Sequence, residues 1–381
     1  MTSKYRRDTA TWVCFAALFA FGAVNALLGP ALPYLRQTEQ ISYVAGSLHQ
    51  VAFAIGGITA GILASRWTVP RRLATVVGLI GAAAAALLLG YGQVFAATLI
   101  ASLLLSAFAT TALIRMWALL SDLHNVHRVI AMTEGEISVS LAGILTPAVV
   151  SACAATGLSW RFSFVIVAVV VLAAAAAMGA IRLPEAGPPA IPATADRHSP
   201  RRTLLTIFAV VGLEFTLSFW AASYLHDDVG IDQDTSVALV SALYAANLVG
   251  RLLASRLARR LSTAVMLRLF LTIALVGSPI LLLATNAVVA SIGLAVTGIG
   301  IGGTFPLAAA LHVSASHRNA DQALGQILTV AGLGQIVGPL ASGALAQVAG
   351  LRLSLLVMPA LVLLAIATVR TVSRGTPTSR A

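Results

Sequence analysis

Five ionisable side chains stand out inside long apolar stretches of this 381-residue chain: His49, Arg115, Glu134, Glu136 and Glu214. A charge at the centre of a membrane costs about 2.5 to 3.5 kcal/mol on insertion scales, so such groups usually face a cavity or a partner. Glu214 lies near the middle of its stretch, with no basic residue close to it there. A carboxyl group removed from water holds a proton more readily. We therefore predict that Glu214 loads a proton; the alternative is a hydrogen-bonded carboxyl that ties two helices together.

Arg115 and two glutamates form a second group of charges. Glu134 and Glu136 lie about 9 and 12 Å inside their stretch at 1.5 Å per residue, a depth similar to that of Arg115. This predicts an ion pair between Arg115 and one glutamate, acting either as a structural gate or directly on substrate or protons. Residues two positions apart on a helix point about 200° away from each other, so only one of the two glutamates can face Arg115.

Uncharged polar groups at a similar depth could hydrogen-bond a neutral solute rich in hydroxyl groups, or could instead link helices. A lone histidine such as His49 is more often a packing residue than a titrating one. Trp220 and Tyr224 could stack on a sugar ring, although an aromatic belt at the membrane surface explains Tyr224 equally well. The predicted solute-binding residues are Asn25, His49, Gln50, Arg115, Trp220, Tyr244 and Asn247.

The composition requires a membrane around these groups. Hydrophobic residues make up 59% of the chain, charged residues only 10%, and the mean hydropathy is +0.93. A soluble globule needs more polar surface than this. Since a spanning helix needs about 20 apolar residues, we predict an all-α integral membrane protein with twelve transmembrane helices near residues 9–35, 41–65, 71–91, 94–120, 128–153, 159–182, 202–226, 235–258, 263–285, 287–313, 320–349 and 351–372.

The net charge of +11 follows from membrane topology, so we expect no nucleic-acid partner. With both termini in the cytoplasm, 20 of the 24 basic residues face that side, as the positive-inside rule requires. The loop after the seventh helix is instead acidic, with Asp227, Asp228, Asp232 and Asp234. We therefore predict a multi-pass protein of the inner (plasma) membrane whose termini are cytoplasmic.

A Leu-Ala-Ser-Arg motif occurs in both halves of the chain, ending at Arg66 and at Arg256, an offset of 190 residues. The segment 183–202 is rich in proline and charge and is predicted to be a cytoplasmic linker. The domains are then a six-helix bundle over 1–182 and a second over 203–381, related by pseudo-symmetry around a central cavity. We expect Arg66 and Arg256 to act as gating latches on the cytoplasmic side.

The segment from Gly61 to Arg72, with its glycine, small residue, arginine and trailing basic pair, resembles a loop signature of the major facilitator superfamily. The resemblance covers essentially the whole chain and implies the major facilitator fold, solute transport and a monomer. The family's usual aspartate is replaced by Ser65 and, in the second copy, by Ser255, so its charge relay is not expected here.

Within that superfamily the chain is most similar to the fucose/proton symporter-like branch. Glycine, glutamate, tryptophan and tyrosine recur in the seventh helix, and asparagine, glycine and arginine in the eighth; the matching residues are Gly212, Glu214, Trp220, Tyr224, Asn247, Gly250 and Arg251. The fucose symporters also use acids in helices 1 and 4, where this chain has Asn25 and Arg115. The resemblance therefore does not carry over the identity of the substrate.

These features predict a proton-coupled secondary transporter that moves a small polar solute by alternating access, with Glu214, Glu134 and Glu136 as proton-coupling candidates. The alternative is a proton antiporter that exports a drug or hydrophobic metabolite. We expect no enzyme, cofactor or metal, since nucleophile–base and metal-ligand clusters are missing from the sequence pattern. Gly298, Gly300 and Gly303 match a dinucleotide-binding pattern, but no strand precedes them, so close helix packing is the better interpretation.

Overall fold

The computed structural model describes residues 6–66, 69–124, 127–181, 200–258, 260–315 and 320–369. Within these ranges the chain is helical apart from short connections. In chain order the helices are α1 (Thr9–Asn25), α2 (Leu28–Glu39), α3 (Tyr43–Arg66), α4 (Arg71–Tyr91), α5 (Phe95–His124), α6 (Arg128–Ala155), α7 (Phe162–Ala180), α8 (Pro200–Asp227), α9 (Gln233–Leu257), α10 (Thr263–Leu282), α11 (Ala287–Gly302), α12 (Thr304–Ala315), α13 (Ala320–Ser354) and α14 (Val357–Thr368).

Eleven segments of the described chain are long and apolar enough to cross a membrane. Two of them are interrupted helices: α1 continues into α2, and α11 continues into α12. A proline explains each interruption, because its ring clashes with the carbonyl group four residues earlier and it has no N–H to donate. Pro30 breaks the first span at Ala26, and Pro306 breaks the tenth at Gly302. Asn25 is thereby placed at the last position of α1, beside irregular backbone.

The twelfth span begins inside the segment assigned to α13. Gly350 has a φ of 79°, in the left-handed region that glycine adopts without strain, and the backbone turns there. The residues from Leu351 to Thr368, including α14, then form a short final crossing. The predicted all-α architecture with twelve spans is confirmed in the described part of the chain.

The helices alternate in direction, so their ends gather on two faces. We name the face that holds the start of α1 and the exposed Arg66 and Arg256 the basic face. The opposite face, with Asp227 and Asp234, is the acidic face. Helices α1 to α7 form the first half of the chain and α8 to α14 the second. The predicted linker 183–202 lies outside the described residues up to residue 199, so the domain boundaries stay a prediction.

The two halves meet chiefly along three helix pairs: α6 with α9, α3 with α13, and α2 with α8. Glycine permits a close approach at the first pair, because a Cβ added to Gly143 would lie 2.8 Å from the ring of Tyr244. Gly298 and Gly300 lie in α11, where added Cβ atoms would collide with α9 and α10. In α11 these glycines serve close helix packing.

Candidate functional site

A cavity of about 40 Å³ lies between the two halves, midway between the faces. It has room for about three water molecules. The first half contributes Asn25, Leu28, Gly29 and Gln50, and the second half contributes Glu214, Phe215, Ser218, Phe219 and Tyr244.

The cavity brings together four of the residues predicted from the sequence: Asn25, Gln50, Glu214 and Tyr244. The break between α1 and α2 presents Asn25 to it. Gln50 is only 4% exposed, and its Nε2 atom has no hydrogen-bond partner among the described residues. A buried amide donor left unpaired costs about 1 to 3 kcal/mol. The Gln50 side chain therefore has an unused donor at the cavity wall.

Glu214 belongs to a cluster that joins the halves, which we call the charge triad: Glu136 on α6, Arg251 on α9 and Glu214 on α8. Arg251 Nη1 donates to Glu136 Oε2 at 2.7 Å and lies 3.3 Å from Ser140 Oγ. Arg251 Nη2 lies 3.8 Å from Glu214 Oε1, a charge contact without a hydrogen bond. All three side chains are between 20% and 31% exposed. One guanidinium thus serves two carboxylates from different halves.

The structure gives the two glutamates different partners. Glu136 faces Arg251 in the other half. Glu134 turns toward α1, where its carboxylate accepts two hydrogen bonds from Arg7 within the first half. The two acids do point in different directions, as their spacing predicted. Arg115 is half-buried on α5.

Three other predicted residues lie outside the cavity lining. His49 is fully buried, pairs with Thr98 Oγ1 at 3.0 Å and packs edge-on against Phe95. Trp220 is also fully buried, and its Nε1 donates to the carbonyl of Pro339 at 3.0 Å. Asn247 packs against α11, and its Oδ1 has no hydrogen-bond partner in the described structure.

Tyr224, for which the sequence left two roles open, packs inside the second half. Its ring is fully buried, and its hydroxyl donates to the carbonyl groups of Leu281 and Leu282 at the end of α10. It therefore lies outside the cavity lining and joins α8 to α10 near the acidic end of α8.

Comparison with known families identifies this arrangement. The model of the Major Facilitator Superfamily matches residues 14–329 of the chain. The chain belongs to the major facilitator superfamily. It is therefore a multi-pass membrane transporter of small-molecule solutes and not an enzyme, and transporters of this superfamily usually act as monomers.

Solved structures share the fold. A bacterial homologue of the human lysosomal transporter Spinster, in an inward-facing and unoccupied conformation, aligns with a TM-score of 0.74 at 14% identity, covering 96% of this chain and 97% of that one. The human organic anion transporter TETRAN aligns at 0.71 and 16% identity, covering 96% and 100%. The nucleoside transporter NupG aligns at 0.71 and 15% identity, covering 95% and 99%. A sequence comparison with curated proteins returns no significant match.

On its acidic face the transporter has a second polar connection between the halves, which the sequence analysis missed. Arg36 binds Asp227 at 3.0 Å, Tyr43 donates to the same carboxylate at 2.8 Å, and the Arg36 guanidinium lies 3.7 Å from the centre of the Tyr43 ring. Tyr34 donates to Asp234 at 2.5 Å. We call these five residues the acidic-face cluster. The only signal in the sequence was Arg36, one of the few arginines predicted to face outward, together with the acidic loop after the seventh helix.

The other two aspartates of that loop act within the second half. Asp232 caps α9 by accepting from the backbone N–H of Thr235, and this hydrogen bond lowers the pKa of Asp232. Burial raises the pKa of Asp228, whose backbone carbonyl accepts from Arg352. Among the four, only Asp227 and Asp234 have a described hydrogen bond or ion pair with the first half.

Arg66 and Arg256 lie at the ends of α3 and α9, both exposed on the basic face. The two arginines occupy corresponding positions in the two halves because the Leu-Ala-Ser-Arg motif is repeated. Their role as gating latches stays a prediction.

Proposed function

We propose that this transporter moves a small polar solute by alternating access and couples that movement to protons at Glu214. The observation that carries the proposal is the cavity at the junction of the halves, where Glu214 lies among the amide and hydroxyl groups of Asn25, Gln50, Ser218 and Tyr244. A solute with several hydrogen-bonding groups would satisfy the unpaired Nε2 of Gln50.

Proton coupling needs a titratable group whose protonation changes contacts between the halves. Glu214 meets this requirement, since it lines the cavity and lies 3.8 Å from Arg251, which binds Glu136 in the first half. Adding or removing one proton at Glu214 changes the net charge of the triad between zero and minus one. The energetic effect is large where water is scarce.

The basic face is proposed to be cytoplasmic, in an inner (plasma) membrane, with a monomer as the working unit. Basic residues cluster at the helix ends and loops of that face, as the positive-inside rule describes for cytoplasmic loops. The pattern that resembles fucose/proton symporters favours uptake. The proposed route for the solute leads from the acidic face to the cavity and then to the basic face.

A second candidate function is proton antiport that exports a hydrophobic compound. Leu28, Phe215 and Phe219 supply an apolar wall to the same cavity. Such a wall would suit a lipophilic compound, with Glu214 as the exchanging group. We favour the polar solute because hydrogen-bonding side chains line the cavity from both halves.

The test is thermal stabilisation of the purified transporter by monosaccharides, small organic anions and lipophilic cations at two pH values, followed by uptake into proteoliposomes under an imposed pH gradient. We expect a polar solute to stabilise the protein and to be accumulated by the gradient. Stabilisation by lipophilic compounds alone would support the export function instead.

The Glu214→Gln variant is expected to keep solute binding and to lose the pH dependence of binding, because the amide resembles a protonated carboxyl group that cannot ionise. Glu214→Asp is the matched control, since it keeps a titratable group and should keep the pH dependence. If Glu214→Gln retained the wild-type pH dependence, Glu214 would not be the coupling group.

A further inference from the structure

The polar contacts of Arg251 are not confined to one half of the protein. It lies on α9 in the second half, yet its hydrogen bonds cross to Glu136 and Ser140 of α6 in the first half. Its other terminal nitrogen lies 3.8 Å from Glu214 of α8, in its own half. The guanidinium therefore has a partner that must move away when the halves separate and another that stays with it.

The triad lies on the basic-face side of the cavity. At 1.5 Å per residue, Glu136 is about 12 Å from the basic end of α6, and Arg251 is about 9 Å from the basic end of α9. Further toward the acidic face the same two helices touch at Gly143 and Tyr244, and then at Ser151 and Asp234. Separation of α6 and α9 at their basic ends must therefore break the Glu136–Arg251 pair.

We propose, building on the proton-coupled function above, that Arg251 exchanges carboxylate partners during transport. With the basic face closed, Arg251 binds Glu136, and Glu214 holds a proton. When the basic face opens, Glu136 leaves with the first half and Arg251 turns to Glu214. A carboxylate beside a guanidinium is stabilised in its ionised form, so the proton leaves Glu214 toward the basic face. Opening on one side thereby drives proton release on that side.

Closure of the basic face depends on the same contacts. Ionised Glu214 competes with Glu136 for one cation and so weakens the link between the halves. Protonated Glu214 does not compete, which strengthens the Glu136–Arg251 pair and favours closure of the basic face. A charge that loses its partner of opposite sign is costly in a low dielectric. Arg251 therefore has to keep one of the two carboxylates at every stage.

Few other ionisable groups face Glu214 from the helices packed against α8. In the described part of these helices, Tyr244 and Arg251 come from α9 at this depth, and Glu136 reaches the cluster from α6. The other described ionisable groups on these helices lie near the helix ends: Tyr34, Arg36 and Glu39 on α2, Asp234 and Arg256 on α9, His312 on α12 and Arg352 on α13. We therefore assign the pH dependence of basic-face opening to Glu214. The charges of Arg251 and Glu136 set the direction of that dependence.

The experiment measures opening of the basic face directly. Spin labels are placed at Ile130 on α6 and Ala258 at the end of α9, two exposed positions, in a background with Cys14 and Cys153 replaced by serine. Distances between the labels are measured by pulsed electron paramagnetic resonance in nanodiscs between pH 5 and 9. We expect the wild-type protein to open as the pH rises, with a single midpoint.

Glu136→Gln is the decisive variant. It removes the competing carboxylate, so the midpoint should move to lower pH by about one unit or more, and the open fraction at acidic pH should rise. Glu214→Gln should stay closed over the whole pH range. Asp232→Asn is the control, because Asp232 caps α9 at the acidic face, far from the triad, and its midpoint should equal that of the wild type.

The outcomes separate this proposal from the function on which it rests. An unchanged midpoint in Glu136→Gln, alongside a pH-dependent wild type, would overturn the exchange of Arg251 and leave proton coupling standing. A wild type without any pH response and without proton-driven accumulation would overturn the proposed function itself. Glu136→Asp keeps the carboxylate and should stay closed at acidic pH, which checks that any opening reflects lost charge and not misfolding.

Discussion

At the scale of single residues, hydrogen-bond partners distinguish side chains that the sequence presents as equivalent. Gln50 and Trp220 are both polar, both buried and both within predicted spans. The indole N–H of Trp220 is satisfied by Pro339, whereas Nε2 of Gln50 has no partner among the described residues. A satisfied donor stabilises the fold, and an unsatisfied donor at a cavity wall is free to bind a solute.

This difference predicts opposite effects for two substitutions. Trp220→Phe should lower the free energy of unfolding by about 1 to 3 kcal/mol, because the carbonyl of Pro339 is left buried and unpaired. It should leave the Kd of the solute unchanged. Gln50→Leu should raise that Kd about tenfold, a loss of about 1.4 kcal/mol, with little effect on stability.

Thermal melts and calorimetric titration of both variants with the solute found in the stabilisation screen measure the two quantities. A weaker solute affinity in Trp220→Phe would restore the role in binding that its residue type suggested. An unchanged affinity in Gln50→Leu would remove Gln50 from the site.

At the scale of helices, the two halves repeat a contact that is invisible as a sequence motif. Thr11 on α1 pairs with His124 at the end of α5 at 2.8 Å, and Thr203 on α8 pairs with His312 on α12 at 2.8 Å. The threonines are offset by 192 residues, close to the offset of the Leu-Ala-Ser-Arg repeats. Each pair ties the first span of its half to the fourth span near the basic face. The proposed alternating access needs halves that move as units, and such ties would help to hold each half together.

We predict that Thr203→Val lowers the midpoint of thermal unfolding, because valine has a similar shape but cannot bond the buried His312. The expected loss is about 1 to 3 kcal/mol. Thr11→Val should have an effect of the same sign, and the double variant should show the sum of the two, since the pairs lie in different halves and share no partner among the described residues. Melting curves of the four proteins at one pH provide the measurement; an unchanged midpoint in Thr203→Val would contradict the role of the pair.

At the scale of the whole molecule, polar contacts between the halves lie on both sides of the cavity. The charge triad lies toward the basic face, and the acidic-face cluster lies toward the other. Both involve groups far apart in the chain, such as Arg36 and Asp227, 191 residues apart. Alternating access then means that one connection opens while the other holds.

Asp227→Asn is predicted to shift the transporter toward states open at the acidic face. The substitution removes the charge that Arg36 and Tyr43 share, and a partly exposed ion pair contributes up to about 1 kcal/mol, which is about a fivefold change in population. Asp232→Asn is the control, because Asp232 caps its own helix and has no described contact with the first half. Distances between labels at the acidic ends of α6 and α9 report the shift; equal distances in both variants would assign the acidic-face cluster no part in closure.

The sequence by itself determined the membrane setting, the helical architecture and the number of spans, because each depends on local hydropathy and on the length needed to cross a bilayer. It also selected Glu214, Asn25, Gln50 and Tyr244, which line the cavity, since polar groups are conspicuous in apolar helices. It could not identify partners. Arg251 was noted only as part of a resemblance, and the sequence left open whether Glu134 or Glu136 faces Arg115, because depth along a helix is readable from sequence but rotation toward a neighbour is not.

The tertiary structure decided which helices meet and which faces they present. The contact of α6 with α9 places Arg251 between Glu136 and Glu214, and the pairing of α2 with α8 brings Arg36 to Asp227. Such contacts join residues more than 100 positions apart, so no local pattern encodes them. Hydropathy fixes how deep a side chain lies in the membrane, whereas packing between halves fixes what it touches, and the proposed transport mechanism depends on the second.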